Sequence, residues 1–312
     1  MMDTMTTLLL PFGWAIVALA CAAVVGWSCR AALVLVLPAR NARTVRHAPL
    51  TATFGMAVIA AYVIVVLAAP LIAPHGERIV LDAEYLPWNS TYPLGTDNLG
   101  RDMLSRLIFG IRNSVGIAFA TTVLAFLAGA IGGLLAATIG GWLDQLLSRI
   151  VDVLMAIPSL IFALLMLSIL GTSIPNLILV IAIVDATRVF RIARAVAANI
   201  VVMEYVESAR LRGAGLWRLI GREILPNAMP PLVAEFGLRF CFVFLSISAL
   251  SFLGLGVQPP SADLGAMVRE NASLITFGDI TPILPAALIA LLTVAVNFVV
   301  DWALHLSSGL KE

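Results

Sequence analysis

Few residues of this chain have the types and spacing that catalysis or metal binding requires. The three histidines, His47, His75 and His305, lie far apart in the sequence, and the three cysteines fall within apolar runs. No G-x-x-x-x-G-K-[ST] segment, which would cradle nucleotide phosphates, is present. The sequence therefore predicts no catalytic residue, no metal site and no cofactor held by this chain.

One polar segment has a spacing that suggests a mechanical role instead. Glu207, Ser208 and Ala209 are followed by Gly213, whose missing side chain permits the left-handed conformation that ends a helix. We expect a short docking helix over Tyr205 to Arg212, seated in a groove of a partner. Its small residues permit close approach, and Glu207 and Arg210 are available for ion pairs at the rim.

The end of the same segment leads into an apolar run. Leu225 and Pro226 stand directly before it, and a proline suits the first turn of a helix because its missing N–H has no partner there. The sequence thus predicts a docking helix followed by a lever from Gly213 to Pro226.

The composition of the chain indicates whether these elements lie in water or in membrane lipid. The 312 residues are 61% hydrophobic and 12% charged, with a mean hydropathy of +1.03, and no water-soluble core of this size could bury so much apolar surface. A net charge of +1 gives no reason to expect nucleic acid as a partner. Most of the chain must contact membrane lipid.

Seven apolar runs are long enough to cross a hydrocarbon layer of roughly 30 Å as helices. None alternates apolar and polar residues as a membrane barrel strand does, so the predicted fold class is all-α, a polytopic membrane protein. The runs cover residues 8–29, 50–73, 114–139, 150–171, 174–196, 231–256 and 281–304.

Arginine placement predicts the orientation, because short loops rich in Lys and Arg stay in the cytoplasm. Arginines cluster in 40–46 and in 188–222, which we therefore place inside, and the connections 74–112 and 257–280 fall outside. The first run could instead be a cleaved signal peptide, but it is long and carries Asp3 rather than a cation before it. We expect an extra spanning helix.

The spacing around Glu207 resembles the EAA loop of ABC importer permeases. The match covers Glu207, Ala209, Gly213, Leu225 and Pro226, with Ser208 where alanine is usual. The resemblance implies that residues 204–226 couple the chain to an ATPase subunit. The alternative is a helix without a coupling role that lies on the membrane surface between two spans.

Two further segments resemble signatures of the dipeptide, oligopeptide and nickel importer permeases, specifically their C-type subunit. The first is PLGTDNLGRDMLSR, with Gly95, Thr96, Asp97, Gly100, Arg101 and Asp102. Its acids and glycines suit turns, and the alternative is contact with a docked binding protein. The second is SFLGLGVQPP, in which Gly254 and Gly256 are either a hinge beside a gate or a packing and reversal point.

This resemblance implies a type I importer transmembrane fold with a six-helix core plus one extra N-terminal helix. It divides the chain into 1–48 (extra helix and basic linker), 49–111 (first core helix and external loop), 112–304 (transmembrane domain) and 305–312 (tail). We expect Phe242 and Phe244 to narrow the pathway between subunits.

The resemblance also implies partners and a cargo. A second, B-type permease completes the pathway, one or two ABC ATPase subunits hydrolyse Mg-ATP, and an external binding protein delivers short peptides, with nickel or another small solute as the alternative. The localisation implied is the bacterial inner membrane.

The charged residues within the apolar runs indicate whether the chain could be another kind of transporter. Glu235 and Arg239 stand at i, i+4, a favourable order for a structural ion pair. We expect no acid or histidine at mid-span, and hence no proton relay of an ion-coupled secondary transporter. A membrane enzyme is disfavoured because no nucleophile, base or metal ligands converge.

Overall fold

The computed structural model of the protein describes residues 48–277, 279 and 281–308. Within that part of the chain the structure is helical with no β-strand, and only two isolated bridges occur, Val80 with Arg101 and Thr96 with Asp102. The predicted all-α class is confirmed. The first apolar run, 8–29, lies outside the described residues.

Helices are numbered here in chain order over the described residues. A short π-helical segment, Leu219–Ile224, joins α7 to α8, and a 3₁₀ segment, Ala272–Phe277, follows α9. The helices are α1 Leu50–Ile72, α2 Met103–Ile139, α3 Gly141–Ala156, α4 Ser159–Leu170, α5 Ile174–Val201, α6 Glu204–Leu211, α7 Leu216–Arg218, α8 Leu225–Phe252, α9 Leu264–Asn271 and α10 Ile283–Ser308.

Among the described residues, four helical stretches are long and apolar enough to cross a membrane. They are Leu50–Ile72, Met103–Ile139, Leu216–Phe252 and Ile283–His305. A fifth is reached if α3 and α4 form one span, although the two helices are bent by 87°. The predicted polytopic architecture is therefore confirmed for the described part of the chain.

The predicted fourth span, 150–171, is wrong as a single helix. The chain leaves helical geometry at Ile157, with ψ 127°, and resumes at Ser159. Pro158 explains the break, because proline disfavours helical geometry in the residue before it and has no N–H to continue the ladder. An apolar run reports composition, and the bend lies inside that run.

The chain divides into two compact units, one of residues up to Tyr62 and from Leu291, the other of Val63–Ala290. In the first unit, α1 and α10 pack so closely at Gly55 that a Cβ there would collide with the carbonyl oxygen of Ala295. That glycine therefore sets the distance between these two helices.

In the second unit, the long helix α2 packs along α5 through two glycines. A Cβ on Gly129 would lie 2.5 Å from the carbonyl oxygen of Ala186, and one on Gly133 would lie 2.6 Å from that of Phe190. Both glycines let the two backbones touch, as small residues do between membrane helices. The same α5 is tied to α3 by Arg194, whose Nε and terminal nitrogen contact the Asp144 carboxylate at 2.5 and 2.6 Å.

Candidate coupling segment and its transmembrane connections

The predicted docking helix exists as α6, one residue earlier than expected at each end. Its two acids in the first turn, Glu204 and Glu207, complement the positive N-terminal end of the helix, and Arg210 lies in the last turn. Tyr205, Glu207, Ser208 and Arg210 are exposed. The exposed face carries both signs of charge, and Arg210 also donates to the carbonyl of Thr138 on α2 at 3.4 Å.

Gly213 reverses the chain after α6. Its φ is +80°, a conformation that residues with a Cβ rarely adopt, and none of the residues that the structure describes lies within 4 Å of the place a Cβ would take. The amide of Gly213 donates to the carbonyl of Arg210 at 3.0 Å, and the amide of Ala214 donates to that of Ala209 at 3.1 Å. The glycine is needed for conformation and not for space.

The opposite face of α6 is buried against the segment that follows. Val206 and Ala209 form a cluster with Leu219, which lies in the π-helical segment, and Ile200 of α5 packs against it. A π-helical turn within a helix often marks a functional site. Any displacement of α6 is therefore applied directly to the start of the α7 to α8 stretch.

Leu225 and Pro226 lie at the first two positions of α8, as the sequence predicted for Pro226. The helical path begins nine residues before α8, at Leu216, because α7 and the π-helical segment run into α8 without a loop. The helical stretch therefore starts earlier than the predicted run 231–256. Leu225 packs against the clusters that join α2, α5 and α8, while Pro226 is exposed. From Leu216 onward, the predicted lever is thus part of one continuous helical rod.

The external signature forms a buried ion network. The Asp97 carboxylate accepts from the amides of Leu99 and Arg101 at 2.8 and 2.9 Å and from Arg101 Nε at 2.7 Å, and it also pairs with Arg106. Arg106 in turn reaches Glu270 of α9 at 2.8 Å. The network joins the external loop to the segment after α8.

The burial of this signature decides between its two readings. Asp97, Arg101 and Asp102 are only 0%, 3% and 3% exposed. A contact of these side chains with a docked binding protein is therefore wrong, and the structural role in turns is the observed one.

Other members of the signature shape the same turn. Asp102 caps α2 by accepting from Ser105 N at 3.1 Å, and the Thr96 hydroxyl donates to Ala83 O at 2.8 Å. Gly95 and Gly100 both have positive φ, and a Cβ on either would collide with a carbonyl of the residues 82–86. The loop is held by these residues from within.

The second signature, SFLGLGVQPP, forms the turn in which the chain reverses direction between α8 and α9. Gly254 has φ +89° and faces Arg269, whereas Gly256 packs on Ser251. Next in the chain, Asp263 caps α9 by accepting from Ala266 N at 3.0 Å and from the Ser114 hydroxyl at 2.8 Å. Burial raises the pKa of the Asp263 carboxyl above its ordinary value, against these hydrogen bonds that favour the charged form. The two glycines lie in a packed turn, and their role as a hinge stays a prediction.

The two aromatic residues predicted to narrow the pathway lie in different surroundings. Phe244 is 0% exposed and stacks on Phe240 with ring centroids 6.1 Å apart. Phe242 is 50% exposed, with the Arg239 guanidinium 4.7 Å from its ring centroid. Phe244 therefore does not face a pathway between subunits in this arrangement, and the gate prediction is kept for Phe242 alone.

The sequence prediction that no acid lies at mid-span is wrong. Asp185 is the twelfth of the 28 residues of α5 and is 2% exposed, with Oδ1 3.1 Å from Arg188 and 3.5 Å from Arg239. Arg239 also contacts Glu235 at 2.6 Å, so the predicted i, i+4 pair is present and belongs to a larger cluster. The signal was in the sequence, since four charges, Asp185, Arg188, Arg191 and Arg194, interrupt the run 174–196.

Comparison with known proteins gives a consistent result. The family described as "Binding-protein-dependent transport system inner membrane component" matches residues 128–308. The dipeptide transport system permease protein DppC of Haemophilus influenzae is 34% identical, over 80% of this chain and 87% of that protein. The di/tripeptide transport system permease protein DppC of Pseudomonas aeruginosa is 39% identical, over 67% and 69%.

A glutathione transport system permease protein, GsiD of Pectobacterium atrosepticum, is 34% identical over 68% of this chain and 71% of its own length. Among solved structures, an amino acid ABC transporter with histidines shares 19% identity and a TM-score of 0.49, covering 64% of this chain and 93% of that one. From the family match and the curated relatives, the chain belongs to the binding-protein-dependent transport system inner membrane components, as a multi-pass permease of a bacterial ABC transport system.

Proposed function

We propose that this chain is the permease subunit of an ATP-driven importer of short peptides in the bacterial inner membrane. It forms half of the pathway, and a second, B-type permease forms the other half. An external binding protein delivers the peptide, and one or two ABC ATPase subunits hydrolyse Mg-ATP below. The names of the relatives, which specify dipeptides, di/tripeptides and glutathione, support peptides over nickel.

The observation that carries the proposal is the two-sided packing of α6. One face presents Tyr205, Glu207 and Arg210 outward, and the other is buried against Leu219 at the head of the α7 to α8 rod. A helix docked in a groove of an ATPase subunit would therefore pass displacement to a membrane-crossing rod with no flexible linker between them.

The chain itself carries no phosphate-binding G-x-x-x-x-G-K segment, which supports a partner as the source of energy. In this scheme the permease does no chemistry. It converts closure of the ATPase subunits into a change of access, because α6 moves with the ATPase and α8 moves with α6.

The test is reconstitution of both permeases, the ATPase subunits and the binding protein in proteoliposomes. Wild-type complexes should take up a labelled dipeptide and hydrolyse ATP faster when the loaded binding protein is added. Glu207→Arg should abolish this stimulation, because it reverses one charge on the docking face. Glu84→Arg, an exposed acid of the external loop, is the matched control for charge reversal.

Two outcomes count against the proposal. Wild-type complexes that take up nickel but no dipeptide would overturn the peptide assignment. Assembly, uptake and stimulation at wild-type level in Glu207→Arg would overturn the coupling role of α6.

A further inference from the structure

Four charged side chains lie inside the helical bundle as two pairs, each pair within one helix. Asp185 and Arg188 stand at i, i+3 on α5 with Oδ1 and the terminal nitrogen 3.1 Å apart. Glu235 and Arg239 stand at i, i+4 on α8 with Oε1 and Nε 2.6 Å apart. A single contact joins the pairs, between Arg239 and Asp185 Oδ1 at 3.5 Å.

This arrangement leaves each pair electrically neutral by itself. An unpaired charge within a bilayer is costly, so ion pairs between membrane helices are normally hard to break. Here the contact between Arg239 and Asp185 can be lost while both residues keep the partner on their own helix. The two helices can move apart at this level without exposing an uncompensated charge.

The geometry of the pairs also suits exchange of partners. Arg239 Nε and Glu235 Oε1 are close without the alignment of a hydrogen bond, so charge rather than direction holds them. A cavity of about 40 Å³ adjoins Asp185 and Arg188 and is lined by Ser159 and Ser246 among others. Arg188 also donates to the Ser159 hydroxyl of α4 at 3.4 Å, a second partner outside its own helix.

The cluster lies on the helix that the coupling segment drives. Residues 216–252 form one helical stretch through the π-helical segment, and Leu219 of that segment packs on α6. Because α6 contacts this stretch at Leu219 and α5 at Ile200, its movement acts on both of the helices whose charges meet at Asp185 and Arg239.

We propose that Asp185 and Arg239 are positioning residues of the transport cycle. Their contact is a reversible latch that holds α5 and α8 in the resting arrangement and opens when α6 moves. The inference rests on the proposed function, because it assigns a step to the rod that the ATPase subunits drive. It needs no further ligand, since the four charges sum to zero.

The test uses two double variants, each of which removes the contact between helices together with one of the two pairs. Asp185→Asn with Arg188→Gln neutralises the α5 pair, and Glu235→Gln with Arg239→Gln neutralises the α8 pair; each leaves the other pair intact. In the reconstituted complex without binding protein, both should raise basal ATP hydrolysis by roughly two- to thirtyfold, the range of effects seen for residues that modulate coupling.

The single variant Glu235→Gln gives the opposite prediction. It leaves Arg239 with Asp185 as its remaining acid partner in the cluster, so the latch tightens and basal hydrolysis should fall. A purely structural role predicts no such reversal of sign. Arg191→Gln is the control, because it removes an exposed arginine of the same helix outside the cluster and should leave the basal rate unchanged.

A raised basal rate of ATP hydrolysis in both double variants, together with a lowered rate in Glu235→Gln, supports the latch. Unchanged basal rates, or shifts in one direction for all three, overturn it. Arg239→Lys supplies a second test if a double variant does not assemble. Arg239 contacts Glu235 through Nε and Asp185 through a terminal nitrogen, whereas lysine has a single nitrogen for both acids. The contact between helices should weaken and the basal rate should rise, and an unchanged rate overturns the latch. The basal rate is measured without solute, so failure of dipeptide uptake by the wild type would refute the proposed cargo and leave this test standing.

Discussion

Leu219 packs on Val206, and both side chains are buried, although one belongs to the π-helical segment and the other to α6. This contact joins the helix offered to a partner with the rod that crosses the membrane. It makes the coupling segment a two-sided element whose inner face is as important as its exposed face.

The inner face can be tested by shortening Leu219. Leu219→Ala should cost about 2–5 kcal/mol of local packing, as buried leucines typically do. We expect assembled complexes to hydrolyse ATP with reduced dipeptide uptake per ATP, measured in proteoliposomes. Leu211→Ala is the control, since Leu211 is the last residue of α6 and is 83% exposed. Equal uptake per ATP in the two variants would contradict a mechanical role for the contact.

Gly213 should tolerate side chains poorly because of its backbone and not because of crowding. Gly213→Ala should destabilise the turn by roughly 1–2 kcal/mol, the cost of placing a Cβ in the left-handed region. Gly213→Asn should lose less, since asparagine tolerates this conformation. The thermal stability of the purified complex measures both. Gly215→Ala is the matched control, with φ −70° and open space at the Cβ, and a loss equal to that of Gly213→Ala would refute the argument.

The close approach of α2 and α5 predicts a different kind of glycine effect. A methyl group at Gly133 would meet the backbone at Phe190 O, and backbone cannot yield as a flexible side chain can. Gly133→Ala should therefore lower stability by about 1–3 kcal/mol, the usual range for overpacking. Gly116→Ala on the same helix meets nothing within 4 Å and should be neutral. Equal denaturation midpoints for both variants would show that the helices can separate freely.

The external ion network predicts a large loss of stability when one substitution removes the charge of Asp97. Asp97→Asn removes the carboxylate that pairs with the buried Arg101 and Arg106. Breaking a buried ion pair in this way typically costs about 3–5 kcal/mol of stability. Limited proteolysis of the external loop should accelerate accordingly. Arg78→Gln, which removes an exposed pair with Glu77 at 3.8 Å, should change stability by about 1 kcal/mol or less. Similar cleavage rates would show that the network does not hold the loop.

Two external carboxyls should give opposite pH dependences. Because burial raises the pKa of Asp263 in the folded protein, its contribution to stability is present at low pH and is lost as pH rises through that raised pKa. The pKa of Asp279 is lowered by hydrogen bonds from the hydroxyl and amide of Thr281, so its contribution is present above the unfolded value and is lost as pH falls.

The Asn variant at each position isolates these contributions. The melting temperature of wild type minus that of Asp263→Asn should fall as pH rises above about 4, and the same difference for Asp279→Asn should fall as pH decreases toward and below about 4. Parallel slopes for the two variants would contradict the assigned environments.

Much of the fold follows from local properties of the sequence. The apolar runs predicted the helices because crossing a membrane requires a minimum apolar length, and that length can be read directly. Asp102 and Gly213 marked a turn and a helix end, because turns and left-handed helix ends depend on residues only a few positions apart. The spacing from Glu207 to Pro226 also indicated the permease family.

Contacts between distant residues were decided by the tertiary structure alone. Periodicity cannot say that Arg106 meets Glu270, that Leu219 packs on Val206, or that Phe244 is buried while Phe242 is exposed. Asp185 and Arg239 are each visible as charges in apolar runs, but only the packing of α5 on α8 brings them to 3.5 Å. Helix length and caps are properties of one segment and can be read from it; a contact between helices depends on how two backbones approach, which neither segment determines alone.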